Sequence, residues 1–166
     1  RQMCIRAGSG AIAVSLSNFL GDKAEVFASD ISAKALEVVK YNNEKNNTNV
    51  RFIESDLFEN IQEQKFNIIV SNPPYIRSDV INELSKQVQN EPHLALDGGE
   101  DGLEFYKKII EQSCNHIKNG YLILEIGYDQ KEDVKNLLKE NRNYAEINTI
   151  QDLSGNDRCV VAKVCI

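Results

Sequence analysis

The sequence predicts an α/β fold with a mostly parallel β-sheet that ends in an antiparallel hairpin. Short apolar segments alternate with amphipathic ones along most of the 166 residues, as in chains that alternate strands and helices. Residues 66–70 (FNIIV) are apolar enough for a strand covered on both faces. The last two predicted strands, 145–150 and 158–164, are separated by the turn 154–157, which is too short for a helical crossover. They should therefore be antiparallel to each other.

The remaining elements are predicted from apolar spacing and from signals at their ends. Ser32 can cap the helix that follows it, and Gly21 ends the helix before it. The predicted helices are 11–20, 33–44, 103–117 and 130–140, and the other predicted strands are 3–5, 25–29, 50–54 and 121–126.

The composition indicates one globular domain over residues 1–166, with 42% hydrophobic and 27% charged residues. The net charge of −6 argues against direct binding to nucleic acid, which usually needs a basic surface. No segment approaches the roughly 18 apolar residues of a membrane span, so we expect no membrane contacts. We also expect a cytoplasmic protein and a monomer, although no residue pattern determines the oligomeric state. Because the first residues read as the middle of a motif, we also expect a fragment of a longer protein.

The four cysteines and two histidines show no CxxC pair or other zinc-ligand spacing, so we expect no metal site. Cys114, Cys159 and Cys165 lie in apolar stretches. We expect all three to be small core residues of a cytosolic protein.

Three predicted strands end in residues suited to bind a nucleoside. Gly8 and Gly10 lie between a strand and a helix, where the backbone can approach a ligand and the helix start offers unpaired N–H groups. Asp30 can accept both ribose hydroxyls, and Asp56 can accept a hydrogen bond from an adenine amino group. The alternatives are a plain tight turn with solvated carboxylates, or a site for NAD, because Gly8-x-Gly10-x-x-Ala13 with Asp30 also fits the dinucleotide pattern.

The tetrapeptide Asn72-Pro73-Pro74-Tyr75 follows the most apolar strand and should lie at the edge of the sheet where α/β proteins bind ligands. The prolines fix the backbone and remove donors, which leaves the Pro73 carbonyl free to face a ligand. With the Asn72 side-chain oxygen it can accept both hydrogens of an NH₂ group, while Tyr75 stacks on the planar substituent. Such a site suits methyl transfer to a weakly nucleophilic nitrogen, which needs alignment more than a strong base. The alternative is a Pro-Pro turn with a capping asparagine.

Longer motifs give the chain a more specific resemblance. It resembles the HemK/PrmC family, the protein-glutamine methyltransferases that modify the Gly-Gly-Gln loop of peptide-chain release factors. The likeness covers nearly the whole chain and includes GSGAIAVSL at 8–16, SDIS at 29–32, ESDLF at 54–58, IIVSNPPYI at 68–76, EPHLAL at 91–96, GGEDGLEFYKKII at 98–110, LEIGYDQ at 124–130 and DLSGNDR at 152–158.

The resemblance implies a class I, Rossmann-like methyltransferase fold that uses S-adenosylmethionine as methyl donor and releases S-adenosylhomocysteine. It implies that Asn72 and the Pro73 carbonyl hold the glutamine amide, with Asp30 at the ribose and class I release factors as partners. We assign Ile31 and Leu57, the neighbours of Asp30 and Asp56, to the same cofactor site, which Asn72 also borders. The family's N-terminal helical domain is absent from this sequence, in keeping with a fragment.

The first loop departs from the family pattern. Members usually read Asp-x-Gly-x-Gly-x-Gly there, whereas this chain has Cys4-x-Arg6-x-Gly8-x-Gly10. The family's acidic residue lies near the methionine ammonium of the cofactor, so Cys4 removes a charge partner and Arg6 adds bulk and positive charge. We therefore expect weakened cofactor affinity, and a binding-only module is one alternative. Others are a nucleic-acid adenine or cytosine amino methyltransferase, which would use the same tetrapeptide on a flipped base, and an NAD-dependent oxidoreductase.

Overall fold

The computed structural model describes residues 1–165, which form a single seven-stranded sheet with helices on both faces. The strands are β1 (Gln2–Ile5), β2 (Val26–Asp30), β3 (Val50–Glu54), β4 (Phe66–Ser71), β5 (Ile117–Glu125), β6 (Tyr144–Gln151) and β7 (Asp157–Val164). The helices are α1 (Ala11–Leu20), α2 (Ala33–Lys45), α3 (Lys86–Gln89), α4 (His93–Leu96), α5 (Glu104–Ser113) and α6 (Lys131–Asn141).

The strand order is β3-β2-β1-β4-β5-β7-β6. The first five strands pair in parallel, while β7 lies antiparallel between β5 and β6. This confirms the predicted sheet and its terminal hairpin. The chain builds outward in one direction from β1 and in the other from β4, so the carboxyl ends of β1 and β4 flank the switch point where α/β proteins bind ligands.

Alternate side chains along the central strands enter two separate cores. Cys4 and Ala28 point towards α1 and α2 and join a small cluster with Val39. Met3 and Ile5 point to the opposite face, into a larger cluster that includes residues of α5 and α6. The small side chains on the first face let α1 and α2 approach each other closely. A Cβ added at Gly10 would lie 2.5 Å from Val39 Cγ1, so glycine is required there.

The helix boundaries agree well with the prediction in the first half of the chain. Helix α1 has the predicted limits, and the Ser32 hydroxyl accepts a hydrogen bond from the Ala35 N–H at 3.3 Å, as expected for the N-cap of α2. Between β3 and β4 the alternation of strands and helices fails, because residues 55–65 form turns without a helix. Leu57, Phe58 and Ile61 of this connection pack into the larger core and cover the sheet in its place.

The predicted helix 103–117 is too long at its end. Helix α5 stops at Ser113, a 3₁₀ turn follows at Cys114–His116, and Ile117 already belongs to β5. Strand β5 continues through Gly120, where an added Cβ would lie 1.8 Å from the Asn67 carbonyl oxygen. The glycine therefore marks a close approach of two strands rather than the start of a strand after a turn.

The prediction that three cysteines are core residues is correct only for Cys114. Cys114 is 6% exposed, whereas Cys159 is partly exposed and Cys165 is exposed, because both lie where β7 and the residue after it meet solvent. Within residues 1–165, the helices are all too short or too polar to cross a bilayer.

Candidate active site at the carboxyl edge of the sheet

The predicted site residues lie on the segments that follow β1, β2, β3 and β4, and these segments are hydrogen-bonded to one another at the switch point. The Ser55 N–H donates to the Asp30 carbonyl at 3.0 Å, which joins the ends of β3 and β2. The buried Ser71 hydroxyl donates to the Ile5 carbonyl, also at 3.0 Å, and joins the ends of β4 and β1. The structure thus brings the nucleoside half and the tetrapeptide half of the predicted site to one edge.

Asp30 anchors the first loop. Its Oδ2 accepts a hydrogen bond from the Gly8 N–H at 3.0 Å, and its Oδ1 accepts one from the Ser32 N–H at 2.9 Å. The residue is 9% exposed. A carboxylate has about four acceptor positions, so each oxygen keeps a lone pair for a further donor such as a ribose hydroxyl. The carboxylate can therefore fix the loop and bind a ligand at once.

The residues beside Asp30 and Asp56 differ in what they offer. Ile31 is 45% exposed, and the Asp56 side chain is also exposed, so both can contact a ligand. Leu57 is 5% exposed and belongs to the larger core, which leaves its backbone to face a ligand. Its φ of +46° places it in the left-handed region, a conformation that strains a leucine.

Cys4 does not replace the acidic residue of the family pattern. It lies in the middle of the smaller core and is 1% exposed. Burial, with the nearby Asp30 carboxylate adding to it, raises the pKa of the Cys4 thiol to about 12. The thiol is therefore neutral at physiological pH and gives no negative charge for a cationic group.

Arg6 spans the space between the two halves of the site. Its Nη2 donates to the Leu94 carbonyl at 2.7 Å, and its guanidinium lies 4.3 Å from the centre of the Phe105 ring. Burial lowers the pKa of Arg6, while the Asp30 and Asp56 carboxylates oppose that shift. Its φ of +55° explains why the family pattern has glycine at this position.

The tetrapeptide combines a buried middle with an accessible start. Pro73 and Pro74 are buried, Tyr75 is half-buried, and Asn72 is exposed. Among the hydrogen bonds of residues 1–165, none involves the Asn72 amide or the Pro73 carbonyl. Their role as acceptors for a ligand therefore stays a prediction.

Tyr75 contributes a neutral aromatic surface. Its pKa is raised above the usual value, first by burial and then by the Glu125 carboxylate, while Arg158 opposes the shift. A phenol held protonated in this way does not act as a base at physiological pH. Tyr75 is therefore suited to stack on a planar group.

The sequence did not reveal how the tetrapeptide is held. A Cβ added at Gly98 would lie 2.8 Å from Tyr75 Cα, so this glycine packs against the tetrapeptide backbone. The Ile76 N–H donates to the Leu96 carbonyl at 3.1 Å, and the Gly98 N–H donates back to the Ile76 carbonyl at 2.8 Å. The GGEDGLEFY and LEIGYDQ motifs were visible in the sequence, but their contacts with Tyr75 were not.

A family model described as the methyltransferase small domain matches residues 3–100, a range that contains both halves of the site. The chain belongs to this family. That membership accounts for the arrangement of the first loop, Asp30 and the tetrapeptide around one switch point.

This methyltransferase-family chain is also similar to proteins named release factor glutamine methyltransferase. It is 42% identical to the one from Fusobacterium nucleatum over 98% of the chain and 46% of that protein, and 43% identical to the one from Clostridium acetobutylicum over 98% of the chain and 59% of that protein. The chain spans about half the length of the curated relatives that it matches. These matches confirm the resemblance predicted from the motifs.

Solved structures confirm the class I methyltransferase fold. A methyltransferase from Pyrococcus furiosus has a TM-score of 0.71 at 22% identity, covering 99% of this chain and 75% of its own. A 16S rRNA methyltransferase from T. thermophilus, solved with AdoMet and guanosine, has a TM-score of 0.68 at 18% identity, covering 99% of this chain and 38% of its own. At such identities the likeness concerns the fold alone.

Proposed function

We propose that residues 1–166 are the catalytic domain of an enzyme that transfers a methyl group from S-adenosylmethionine to the glutamine side-chain amide in the Gly-Gly-Gln motif of peptide-chain release factors. The observation that carries the proposal is the pair of unpaired acceptors, the Asn72 amide oxygen and the Pro73 carbonyl, at the switch point of a methyltransferase-family fold. The names of the relatives support the choice of glutamine.

The nucleoside end of the donor fits the residues present. Asp30 has free acceptor positions for the ribose, Ile31 gives an exposed apolar contact, and Asp56 is exposed for the adenine amino group. Gly8 leaves open space beside the loop, because a Cβ there would meet nothing within 4 Å. The amino-acid end would lie nearer to Arg6, whose guanidinium contacts the Leu94 carbonyl and the Phe105 ring.

The acceptor residues perform the chemistry by alignment. Asn72 and the Pro73 carbonyl accept the two amide hydrogens of the glutamine, and Tyr75 covers its planar face. S-adenosylmethionine, when bound, would supply the methyl group, and these residues would orient the nitrogen so that a C–N bond could form as the C–S bond of the donor breaks. The two acceptors stabilise the positive charge that develops on nitrogen, and the extra proton leaves to water.

The test is a transfer assay with methyl-labelled S-adenosylmethionine and three acceptors. These are a release factor, the same factor with the motif glutamine replaced by alanine, and double-stranded DNA. We expect label in the intact factor alone. Label in DNA alone would support a nucleic-acid amino methyltransferase instead, and equal label in both release factors would exclude the motif glutamine as the acceptor.

A calorimetric titration checks the donor separately. We expect S-adenosylhomocysteine to bind more tightly than NAD, because the chain belongs to a methyltransferase family. A clear preference for NAD would contradict the choice of S-adenosylmethionine and favour an oxidoreductase.

A further inference from the structure

Gln130, the last residue of the LEIGYDQ motif, is buried beside the tetrapeptide and precedes α6 directly. Its side-chain Oε1 accepts a hydrogen bond from the Gly127 N–H at 3.0 Å and lies 3.4 Å from the Tyr106 hydroxyl. Its Nε2 donates to the Tyr75 carbonyl at 2.9 Å and to the Gly102 carbonyl at 3.3 Å. One amide group therefore joins the β5–α6 connection to the tetrapeptide and to the start of α5.

The set of partners requires an amide. Two carbonyl oxygens face Nε2 and need donors, while the Gly127 N–H faces Oε1 and needs an acceptor. The Tyr106 hydroxyl also lies 3.4 Å from Oε1, but its single hydrogen has a closer acceptor in the Glu125 carbonyl at 2.8 Å. A glutamate at this position would place a carboxylate oxygen against the carbonyls of Tyr75 and Gly102. Because the residue is 8% exposed, water cannot readily relieve that repulsion.

The backbone between Asn72 and Tyr75 is stiff, and it connects the Gln130 side chain to the acceptor groups. Tyr75 is separated from Asn72 by two prolines, whose φ angles are fixed by their rings. A Cβ added at Gly102 would lie 2.6 Å from the Tyr75 carbonyl oxygen and 2.8 Å from Gln130 Nε2, so the contact has no spare room. Fixing the Tyr75 carbonyl therefore restricts the directions that the Pro73 carbonyl and Asn72 can take.

We propose that Gln130 is a positioning residue for methyl transfer. Its two Nε2 hydrogen bonds hold the Tyr75 and Gly102 carbonyls together, and this sets the direction in which Asn72 and the Pro73 carbonyl face the acceptor amide. The inference deepens the proposed function and rests on it. Gln130 itself touches neither the acceptor nor the donor in this role.

The decisive variant is Gln130→Glu, with Tyr106→Phe as its matched control. Tyr106→Phe removes the hydroxyl that donates to the Glu125 carbonyl and lies near Gln130 Oε1, but it leaves both Nε2 bonds in place. For Gln130→Glu we expect kcat with the release factor to fall by about 10- to 100-fold, while S-adenosylhomocysteine binds as before. For Tyr106→Phe we expect kcat within about twofold of the parent.

The pH profile separates positioning from mere loss of stability. Once protonated, the carboxyl group introduced by Gln130→Glu regains an O–H that can donate to the Tyr75 carbonyl, so the activity of the variant relative to the parent should rise as pH falls. Gln130→Met, which has nearly the same shape but no amide, should lose kcat without this recovery. If Gln130→Glu does not fold, the kcat of Gln130→Met is compared with that of Tyr106→Phe instead. A flat pH ratio for Gln130→Glu, or equal kcat losses in Gln130→Glu and Tyr106→Phe, would overturn the inference.

Backbone hydrogen exchange tests the positioning without any acceptor. Ile76 follows Tyr75, and its amide donates to the Leu96 carbonyl. We expect this amide to exchange faster in Gln130→Glu and Gln130→Met than in Tyr106→Phe. Equal exchange in all three would overturn the positioning claim. If exchange changes as expected while the parent protein does not methylate the release factor, it is the proposed function that fails.

Discussion

The two halves of the candidate site differ in how their backbone is held. On the acceptor side, the tetrapeptide is fixed by two hydrogen bonds of Ile76, which donates to the Leu96 carbonyl and accepts from the Gly98 N–H, and by glycines that pack directly against Tyr75. On the donor side, the first loop is held by a hydrogen bond from the Gly8 N–H to the Asp30 carboxylate and contains Arg6 in a left-handed conformation. Both sides contain a glycine that leaves no room for a side chain, Gly98 on the acceptor side and Gly10 on the donor side, but position 6 of the first loop already carries an arginine.

This difference indicates where the chain tolerates change. A side chain on either acceptor-side glycine would meet backbone atoms, which cannot rotate away. The Arg6 side chain, by contrast, contacts the Leu94 carbonyl and the Phe105 ring. The glycines that pack against the tetrapeptide are therefore constrained, whereas position 6 of the first loop accommodates a large side chain.

The largest expected effect is on the acceptor side. Asn72→Ala should lower kcat by about 100- to 1,000-fold, since it removes an oxygen that stabilises charge in the transition state. Donor affinity should remain within about twofold, and stability should barely change, because Asn72 is exposed. The transfer assay and a titration with S-adenosylhomocysteine measure these quantities. Near-normal turnover would remove Asn72 from the site and end the distinction between the halves.

The next effect compares two glycines with similar backbone angles. Gly102 and Gly155 have φ values of +71° and +84°, but an added Cβ meets the Tyr75 carbonyl oxygen at 2.6 Å in the first case and nothing within 4 Å in the second. Gly102→Ala should lower the free energy of unfolding by about 3 kcal/mol and Gly155→Ala by about 1 kcal/mol. Urea denaturation measures both. Equal losses would mean that the acceptor side is not tightly packed.

On the donor side, we expect a smaller effect. Arg6→Ala and Arg6→Gly both remove the contacts with Leu94 and Phe105, but only glycine relieves the strain of a φ of +55°. Arg6→Gly should therefore be more stable than Arg6→Ala by about 1 kcal/mol in urea denaturation. Both variants should bind S-adenosylmethionine more tightly than the parent in calorimetry, because both remove the positive charge of the Arg6 guanidinium from the donor side. Weaker binding by both would show that Arg6 assists the donor.

The smallest expected effect is on the loss of stability at acidic pH. Asp97, next to Gly98, accepts hydrogen bonds from the Ser78 hydroxyl at 2.6 Å and the Gly99 N–H at 2.9 Å, and these bonds lower its pKa. A lowered pKa gives stability that is present above the ordinary value of about 3.9 and is lost as pH falls through the folded value. Asp97→Asn should make this acid-induced loss shallower in denaturation curves below about pH 4, and Ser78→Ala should do so in part. An unchanged slope in both would contradict the assignment.

Much of the fold was predictable because it depends on local patterns. Each of the correct predictions depends only on residues close to it in sequence. They are the apolar segment that forms β4, the capping residue Ser32 and the short turn before β7. The end of α5 was not predictable, because Ile117 continues the helical spacing of apolar residues but is taken into the sheet beside Phe66. Pairing with a strand about fifty residues away overrides a local helical pattern there.

The same distinction applies to the site. The placement of the proposed site residues at one edge of the sheet was predictable, since each lies at the end of a strand or shortly after one. The residues that hold them were not, because Gln130 contacts Tyr75 across 55 positions of sequence and Gly102 also reaches it from a distant segment. The burial of Leu57 was also hidden, since it depends on how residues 55–65 cover the sheet.

The mutual pairing of Ile76 with Leu96 and Gly98 has a consequence for how this protein can diversify. The segment between them leaves the sheet and returns to the same point, so lengthening it changes little beyond the entropy of closing a loop, roughly 0.6 kcal/mol for each doubling. Its short helix α3 can be exchanged for a foreign segment while Leu96 and Gly98 keep their hydrogen bonds with Ile76 and the Leu94 carbonyl keeps its hydrogen bond with Arg6. We expect a chimera of this kind to fold with Asn72 undisturbed and to meet a different partner surface at the rim.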